Sequence, residues 1–327
     1  MYYLKQPMDA LLSNFASPVV LAFALGIIAR LVRSDLELPR PIYQGLSIYL
    51  LLAIGLKGGV ALSQTPLSQF AMPGLATLGL GILTPLTSYA ILRYLGKIDR
   101  VNASAIAAHY GSVSAVTFIA AISYLNALGQ TAEGFMPTLV AILEVPGIIV
   151  ALLIPYRSNK GKGSIKKALH EVLTGSSIVL LVGGLVIGAI AGEAQFESVS
   201  PFFVAGFQGA LVLFLLELGM TTAKRLGDLK KVGPFLIVFG IAVPIVHGVL
   251  ATWIGLQVGL SVAGASVLAA MVSSGSYIAA PAAVRIALPQ ANPTYYLTAS
   301  LGITFPFNIT LGIPLYVEVA TRFAAWM

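Results

Sequence analysis

Cysteine is absent from the 327 residues, and charge is scarce: only 9% of the chain is Asp, Glu, Lys or Arg. The first absence excludes disulfides, thiolate metal sites and a cysteine nucleophile. The second excludes an ordinary soluble domain, in which roughly a quarter of residues are charged. Catalytic signatures are missing as well. The chain holds no H-E-x-x-H and no Walker-type phosphate loop, so an enzyme is not expected and a gradient, not ATP hydrolysis on this chain, is the expected energy source. Residues 1–17, with Lys5, Gln6, Asp9 and Asn14, lack the basic-then-apolar pattern and small-residue cleavage site of a signal peptide.

What is present is apolar. Hydrophobic residues make up 57% of the sequence, and stretches of about 20, enough to cross a hydrocarbon core, recur along its length. Ten spans are expected, roughly Ser17–Arg33, Tyr43–Leu62, Ala71–Leu95, Asn102–Leu125, Gly134–Pro155, Val172–Ala191, Phe202–Met220, Gly233–Gly255, Val262–Ile286 and Tyr295–Ala320. Assigning each Lys and Arg to a side on this count puts 16 on one side and 3 on the other. Cytoplasmic loops are the basic ones, so the expectation is a multi-pass plasma-membrane protein with both termini outside. The net charge of +7 is then a topology signal beside anionic lipid headgroups, and nucleic acid is not expected as a partner.

The chain also resembles itself. "YLLLAIGLKGG" at Tyr49–Gly59, Met72-Pro73, Thr84-Pro85, "YGS" at Tyr110–Ser112 and "VPGIIVALLIP" ending at Pro155 occur in one half. "LFLLELGMTTA" at Leu213–Ala223, Gly233-Pro234, Val243-Pro244, "SGS" at Ser274–Ser276 and "FPFNITLGIP" ending at Pro314 follow in the same order, about 160 residues later. This divides the chain into a first repeat at 1–156, a short basic cytoplasmic linker at 157–171 and a second repeat at 172–327. Five spans per copy is odd, so the copies have opposite orientations, the inverted arrangement of many secondary transporters.

The fourth and ninth spans are rich in Ala, Gly and Ser, and both are interrupted at matching places. The interruptions are Gly111-Ser112-Val113-Ser114 and Ser273-Ser274-Gly275-Ser276, the second followed by Tyr277 and Pro281. Small residues allow close helix approach, and non-helical backbone at membrane depth requires protein or a cavity around it. Half-helix N-termini there suit an anion and freed carbonyls suit Na⁺. Ser112, Ser114, Thr117, Ser273, Ser274 and Ser276 add hydroxyls. Each serine also reads as a packing residue, and both readings stand for any one of them.

Ionisable groups within spans are costly and become candidates by default. Glu144 lies about 15 Å along the fifth span, beside Pro146. It reads either as a cation partner or as an acceptor for backbone freed by the proline. Thr304 and Asn308 flank Pro306 at the equivalent place in the other half and are candidates to complete a Na⁺ site. Glu217, near Lys224 and Arg225, reads as a structural ion pair, and His109 and His247 read as neutral packing residues. Gly184, Gly188 and Gly192 read as a helix-packing series.

"YGSVSAVT" at Tyr110–Thr117, "SGSYIAAPAAVRIALPQANPT" at Ser274–Thr294, "VPIVHG" at Val243–Gly248 and "GLKGG" at Gly55–Gly59 together resemble the sodium-dependent bicarbonate transporter family of cyanobacteria and other bacteria. The resemblance covers all ten spans. It implies an all-α fold of two inverted five-helix repeats with two crossing broken helices, similar to sodium/proton antiporters and bile-acid symporters. It further implies a homotrimer, elevator-like movement, Na⁺ as the co-transported ion without other cofactors, and a small inorganic anion as solute. By position, Ser114, Thr117, Ser274 and Ser276 fall in the family's substrate and sodium site. Ala115 and Val116 stand where the cyanobacterial pattern has small polar residues, and Tyr277 where it has an aspartate. The central loop, Tyr156–His170, is shorter than in those members, so the resemblance does not carry over their cytoplasmic regulatory partner. A proton-coupled antiporter using Glu144, or a membrane regulatory protein that transports nothing, remain the alternatives.

Overall fold

The computed structural model describes residues 14–156 and 163–327, and every regular element in them is helical. The expectations for Lys5, Gln6 and Asp9, and for Arg157, Lys160 and Lys162, lie outside the described residues. We number the helices α1 (Pro18–Leu31), α2 (Arg40–Ser63), α3 (Leu67–Leu95), α4 (Arg100–Tyr110), α5 (Ala115–Ala127), α6 (Met136–Glu144), α7 (Pro146–Tyr156), α8 (Ile165–Thr174), α9 (Ser176–Glu197), α10 (Phe207–Leu226), α11 (Leu229–Gln257), α12 (Val262–Val272), α13 (Ala279–Ala287) and α14 (Pro293–Trp326).

Among the described residues, seven helical runs are long and apolar enough to cross a membrane: α2, α3, α4–α5, α6–α7, α9, α11 and α14. The other three expected spans depart from that standard for visible reasons. α1 has only 14 residues, α10 carries Glu217, Lys224 and Arg225, and the ninth is divided into α12 and α13. The sixth span starts at Ser176, not Val172, because Gly175 leaves helical geometry there. Val172 belongs to α8, whose Ala168 and Val172 are buried while Lys166, Lys167 and His170 are exposed. The linker read at 157–171 therefore includes most of an amphipathic helix, capped by Ser164 onto Lys167 N–H and tied by Gly163 N–H to the Ala287 carbonyl at 3.1 Å.

Two helix pairs are held backbone to backbone by glycine. On α1 and α10, a Cβ added at Gly26 would sit 2.0 Å from the Leu216 carbonyl oxygen, and one at Gly219 would sit 2.1 Å from that of Phe23. On α2 and α9, Gly59 and Gly188 stand in the same relation to the Leu185 and Leu56 carbonyls, at 2.0 and 2.1 Å. Without a hydrophobic drive between helices in lipid, such close approach supplies the van der Waals contact that pairs them. Gly184 joins this face, against Gly55, but Gly192 does not. It has open space around its Cβ position and a φ of 65°, so it serves a kink that an L side chain resists.

The remaining helices form two apolar clusters stacked end to end. One draws on α5, α6 and α12 along with α1, α2 and α10; the other draws on α4, α7, α8 and α13. The runs α4–α5, α6–α7 and α12–α13 each change cluster at their break. The breaks therefore share one level, a polar layer between two cores.

Candidate functional site

The first break follows from residues that cannot continue α4. Gly111 closes the helix against the ring of Pro85 on α3 and the backbone of Gly147 on α7. A Cβ at Gly111 would come within 2.8–2.9 Å of both, and one at Gly147 would come within 1.8 Å of the Gly111 carbonyl oxygen. Ser114 then caps α5 by accepting the Thr117 N–H at 3.1 Å, as serine does at an N-cap. In the second break, Ser273–Ile278, Ser273 and Ser274 turn their hydroxyls back onto the Ala270 and Met271 carbonyls at 3.2 and 2.6 Å. That bonding competes with continued helix. Ser276 accepts the N–H of Ala280, in the first turn of α13, at 3.3 Å.

Each break satisfies the other. Ser114 N–H donates to Ser274 Oγ at 2.8 Å, and Ser276 N–H donates to the His109 carbonyl at 2.8 Å. Ser114 Oγ also donates to the Tyr277 hydroxyl at 3.2 Å. Tyr277, half-buried, sets its ring edge-on to Phe305 with centroids 5.4 Å apart. Gly275 fits because its Cβ position lies 3.0 Å from Ser300. All six candidate hydroxyl residues, Ser112, Ser114, Thr117, Ser273, Ser274 and Ser276, are no more than 4% exposed. Of these, Ser112 Oγ and Thr117 Oγ1 have no hydrogen-bond partner. A space of about 10 Å³, room for one water, opens beside the start of α5 between Leu50, Ala115, Val116, Phe214 and Ile278.

Glu144, Thr304 and Asn308 do not come together. Glu144 ends α6 and is 5% exposed. Its carboxyl lies beside the Ser112 hydroxyl, without the geometry of a hydrogen bond to it. Asn308 instead meets the second break. Its Nδ2 donates to the Ser273 carbonyl at 3.0 Å, and its Oδ1 accepts from the Tyr316 hydroxyl at 3.2 Å. Thr304 donates to the Gly240 carbonyl at 2.6 Å, which leaves the Tyr110 hydroxyl as donor to Thr304, also at 2.6 Å. Pro244 lacks the N–H that Gly240 would otherwise meet, so Thr304 fills a vacancy that a proline makes. Both residues reach inward from π-helical turns, Thr298–Thr304 and Asn308–Gly312, that flank Pro306.

Sequence reasoning missed Tyr110 and the Gly111–Gly147 contact. Pro85 and Gly147 stood in quoted motifs, but nothing local signals which distant backbone a glycine approaches. Glu217 departs from expectation: it accepts only from Thr221 at 3.4 Å, and no ion pair to it occurs among the described residues. His109 donates from Nδ1 to the Ala105 carbonyl at 2.7 Å and stacks on Tyr296, with Nε2 unpartnered. His247 meets Thr87 at 2.8 Å.

A model of the Na⁺-dependent bicarbonate transporter superfamily matches residues 18–321. No curated protein matches the chain.

Proposed function

The chain belongs to the Na⁺-dependent bicarbonate transporter superfamily, and from that premise we propose that it is a secondary transporter that takes up bicarbonate or another small anion with Na⁺. Long apolar helices together with the family make it a multi-pass membrane protein. The reading rests above all on the reciprocal capping of the two breaks. Ser114 N–H is held by Ser274 Oγ and Ser276 N–H by the His109 carbonyl, so each break seats the approach to the other's half-helix, α5 or α13. The N-terminal ends of those half-helices, with hydroxyls around them and no basic side chain, suit a small monoanion held by dipoles. Ser114, Thr117, Ser274, Ser276 and Tyr277 line the solute side of this site, with Gly111 and Gly275 admitting the close backbone approach and Ser273 closing α12.

The architecture we propose is ten spans in two inverted repeats, 1–156 and 172–327. Two contacts favour it. The first break meets the second, Ser114 N–H on Ser274 Oγ, and the proline-bearing helices α3 and α11 meet at Thr87 and His247; the repeat pairs both sets of elements. The α1–α10 and α2–α9 glycine pairs exchange under the same relation. A homotrimer and an elevator-like displacement of the crossing against the glycine-paired helices complete the reading.

Uptake of labelled bicarbonate into proteoliposomes, with Na⁺ and pH gradients imposed separately, tests it. Uptake that follows the Na⁺ gradient at constant pH is expected. Uptake driven by a pH gradient and indifferent to Na⁺ would instead favour a proton-coupled exchanger. Orientation is tested separately in this cysteine-free chain. Lys167→Cys should be labelled only from the cytoplasm and Leu128→Cys only from outside, and labelling of both from one side ends the inverted-repeat reading.

A further inference from the structure

The coupling role of Glu144 gains a definite form from the groups around it. We infer that the first half alone carries one site for a single dehydrated monovalent cation, built from the Glu144 carboxylate, the Ser112 hydroxyl and the Gly81 carbonyl. This rests on the Na⁺-coupled reading above and adds its ligands and its number.

Three observations converge on the place. Pro85 has no N–H, so the Gly81 carbonyl on α3 lacks its donor four residues on. That carbonyl points along the helix toward Pro85, whose ring abuts Gly111, next to Ser112. Gly81 itself faces the α6–α7 junction: its Cβ position lies 3.1 Å from Leu143 and 3.9 Å from Pro146, the residues on either side of Glu144 and Val145. Ser112 Oγ is buried and unpartnered beside the Glu144 carboxyl.

The electrostatics select a cation. α4 ends here at Tyr110, so its C-terminus brings partial negative charge to a buried carboxylate. No basic side chain pairs with Glu144 among the described residues. A charge buried unpaired is strongly unfavourable, and one monovalent cation neutralises it. A divalent ion would leave net charge. Among the described residues no cluster of three His, Cys, Asp or Glu side chains exists to hold one. Carboxylate, hydroxyl and carbonyl oxygens are the hard ligands that Na⁺ takes.

The second half supplies the number. About 160 residues on, Thr304 stands for Glu144 and is neutral, while Asn308 beside it has its oxygen and nitrogen engaged by Tyr316 and Ser273. Gly240 stands for Gly81, and Thr304 closes its carbonyl. The mate site is therefore occupied by the chain's own side chains.

Purified full-length protein, titrated with NaCl against choline chloride at fixed ionic strength, tests this without transport. Calorimetry should give one Na⁺ per chain, and Na⁺ should raise the melting temperature, as a ligand of the folded state does. Ser112→Ala should raise the half-saturating Na⁺ concentration about tenfold, the loss of one hydrogen-bond-sized interaction. Glu144→Gln should abolish Na⁺-dependent stabilisation. Two cations per chain, or an unchanged Na⁺ half-saturation in Ser112→Ala, overturns the inference even if Glu144→Gln does not fold. Single-site binding in a protein that moves no anion would overturn the uptake reading alone. Na⁺-coupled uptake that Ser112→Ala leaves untouched would overturn this site alone.

Discussion

The two halves solve the same problem, a helix broken at mid-membrane and a proline-kinked neighbour, and they solve it differently. In the second half the carbonyl that Pro244 frees is capped by Thr304, and Ser273 is bound by Asn308, which Tyr316 holds in turn. In the first half the carbonyl that Pro85 frees is met by no comparable hydroxyl bridge, and Ser112 Oγ and Thr117 Oγ1 stay unpartnered. A buried polar group without a partner costs about 1–3 kcal/mol. A fold that closes the hydroxyls of the second break and leaves two open at the first keeps valences there for something that comes and goes. On the inverted-repeat reading the two breaks are matched in chain geometry, so the difference lies in side-chain chemistry.

The largest effect that sharpens this contrast is expected at the glycines beside each kink. In Gly147→Ala the new Cβ meets the Gly111 carbonyl oxygen at 1.8 Å, backbone that cannot turn aside. In Gly312→Ala it meets Asn308 Oδ1 at 2.4 Å, the end of a side chain. The first should destabilise by on the order of 3 kcal/mol or more, and the second by about 1–2 kcal/mol. Thermal unfolding in detergent, read with the yield of monodisperse protein, ranks them. Equal losses would mean that the two kinks are equally rigid.

Next comes Thr304→Val, which keeps the shape and strands both the Gly240 carbonyl and the Tyr110 hydroxyl. About 2 kcal/mol should be lost. Ser112→Ala, measured in Na⁺-free medium, removes a hydroxyl that bonds to nothing, and should change stability by less than about 0.5 kcal/mol. A large loss in Ser112→Ala would show that its hydroxyl is structural, and the contrast between the halves would fail.

Why the fold was legible while half of the site was not can be read from these same residues. Prolines, glycine pairs and the serine-rich interruptions are local, and they mark where helices bend, approach and stop. Partner choice is not local. Thr304 and Asn308 carry the same hydroxyl and amide whether they bind a cation or a carbonyl, and only the fold shows that Gly240 and Ser273 already hold them. Glu144 was visible as a costly carboxylate, whereas its separation from Asn308 across the crossing was not. Glu217 misled because nearby Lys224 and Arg225 in sequence need not face it on the helix. The seven long spans were legible from length and hydropathy; α10 and the α12–α13 pair needed the charge alternation and the repeat.

A modest effect is expected at Tyr277. Tyr277→Phe keeps the edge-on contact with Phe305 and deletes one oxygen, the acceptor of the 3.2 Å bond from Ser114 Oγ. Ser114 would still accept the Thr117 N–H, and its own N–H would still reach Ser274, so α5 stays capped. The loss should be about 0.5–1.5 kcal/mol, that of one neutral hydrogen bond. Its value lies in what stays fixed. Tyr277 belongs to the second break and touches Ser114, whereas the cation ligands proposed above are Glu144, Ser112 and the Gly81 carbonyl. Na⁺ half-saturation in Tyr277→Phe should therefore match the parent, while the KM for anion uptake rises. If Na⁺ binding weakens as much as in Ser112→Ala, the crossing acts as one undivided site. Solute and cation would then share the same groups, and the division of labour between the halves would be wrong.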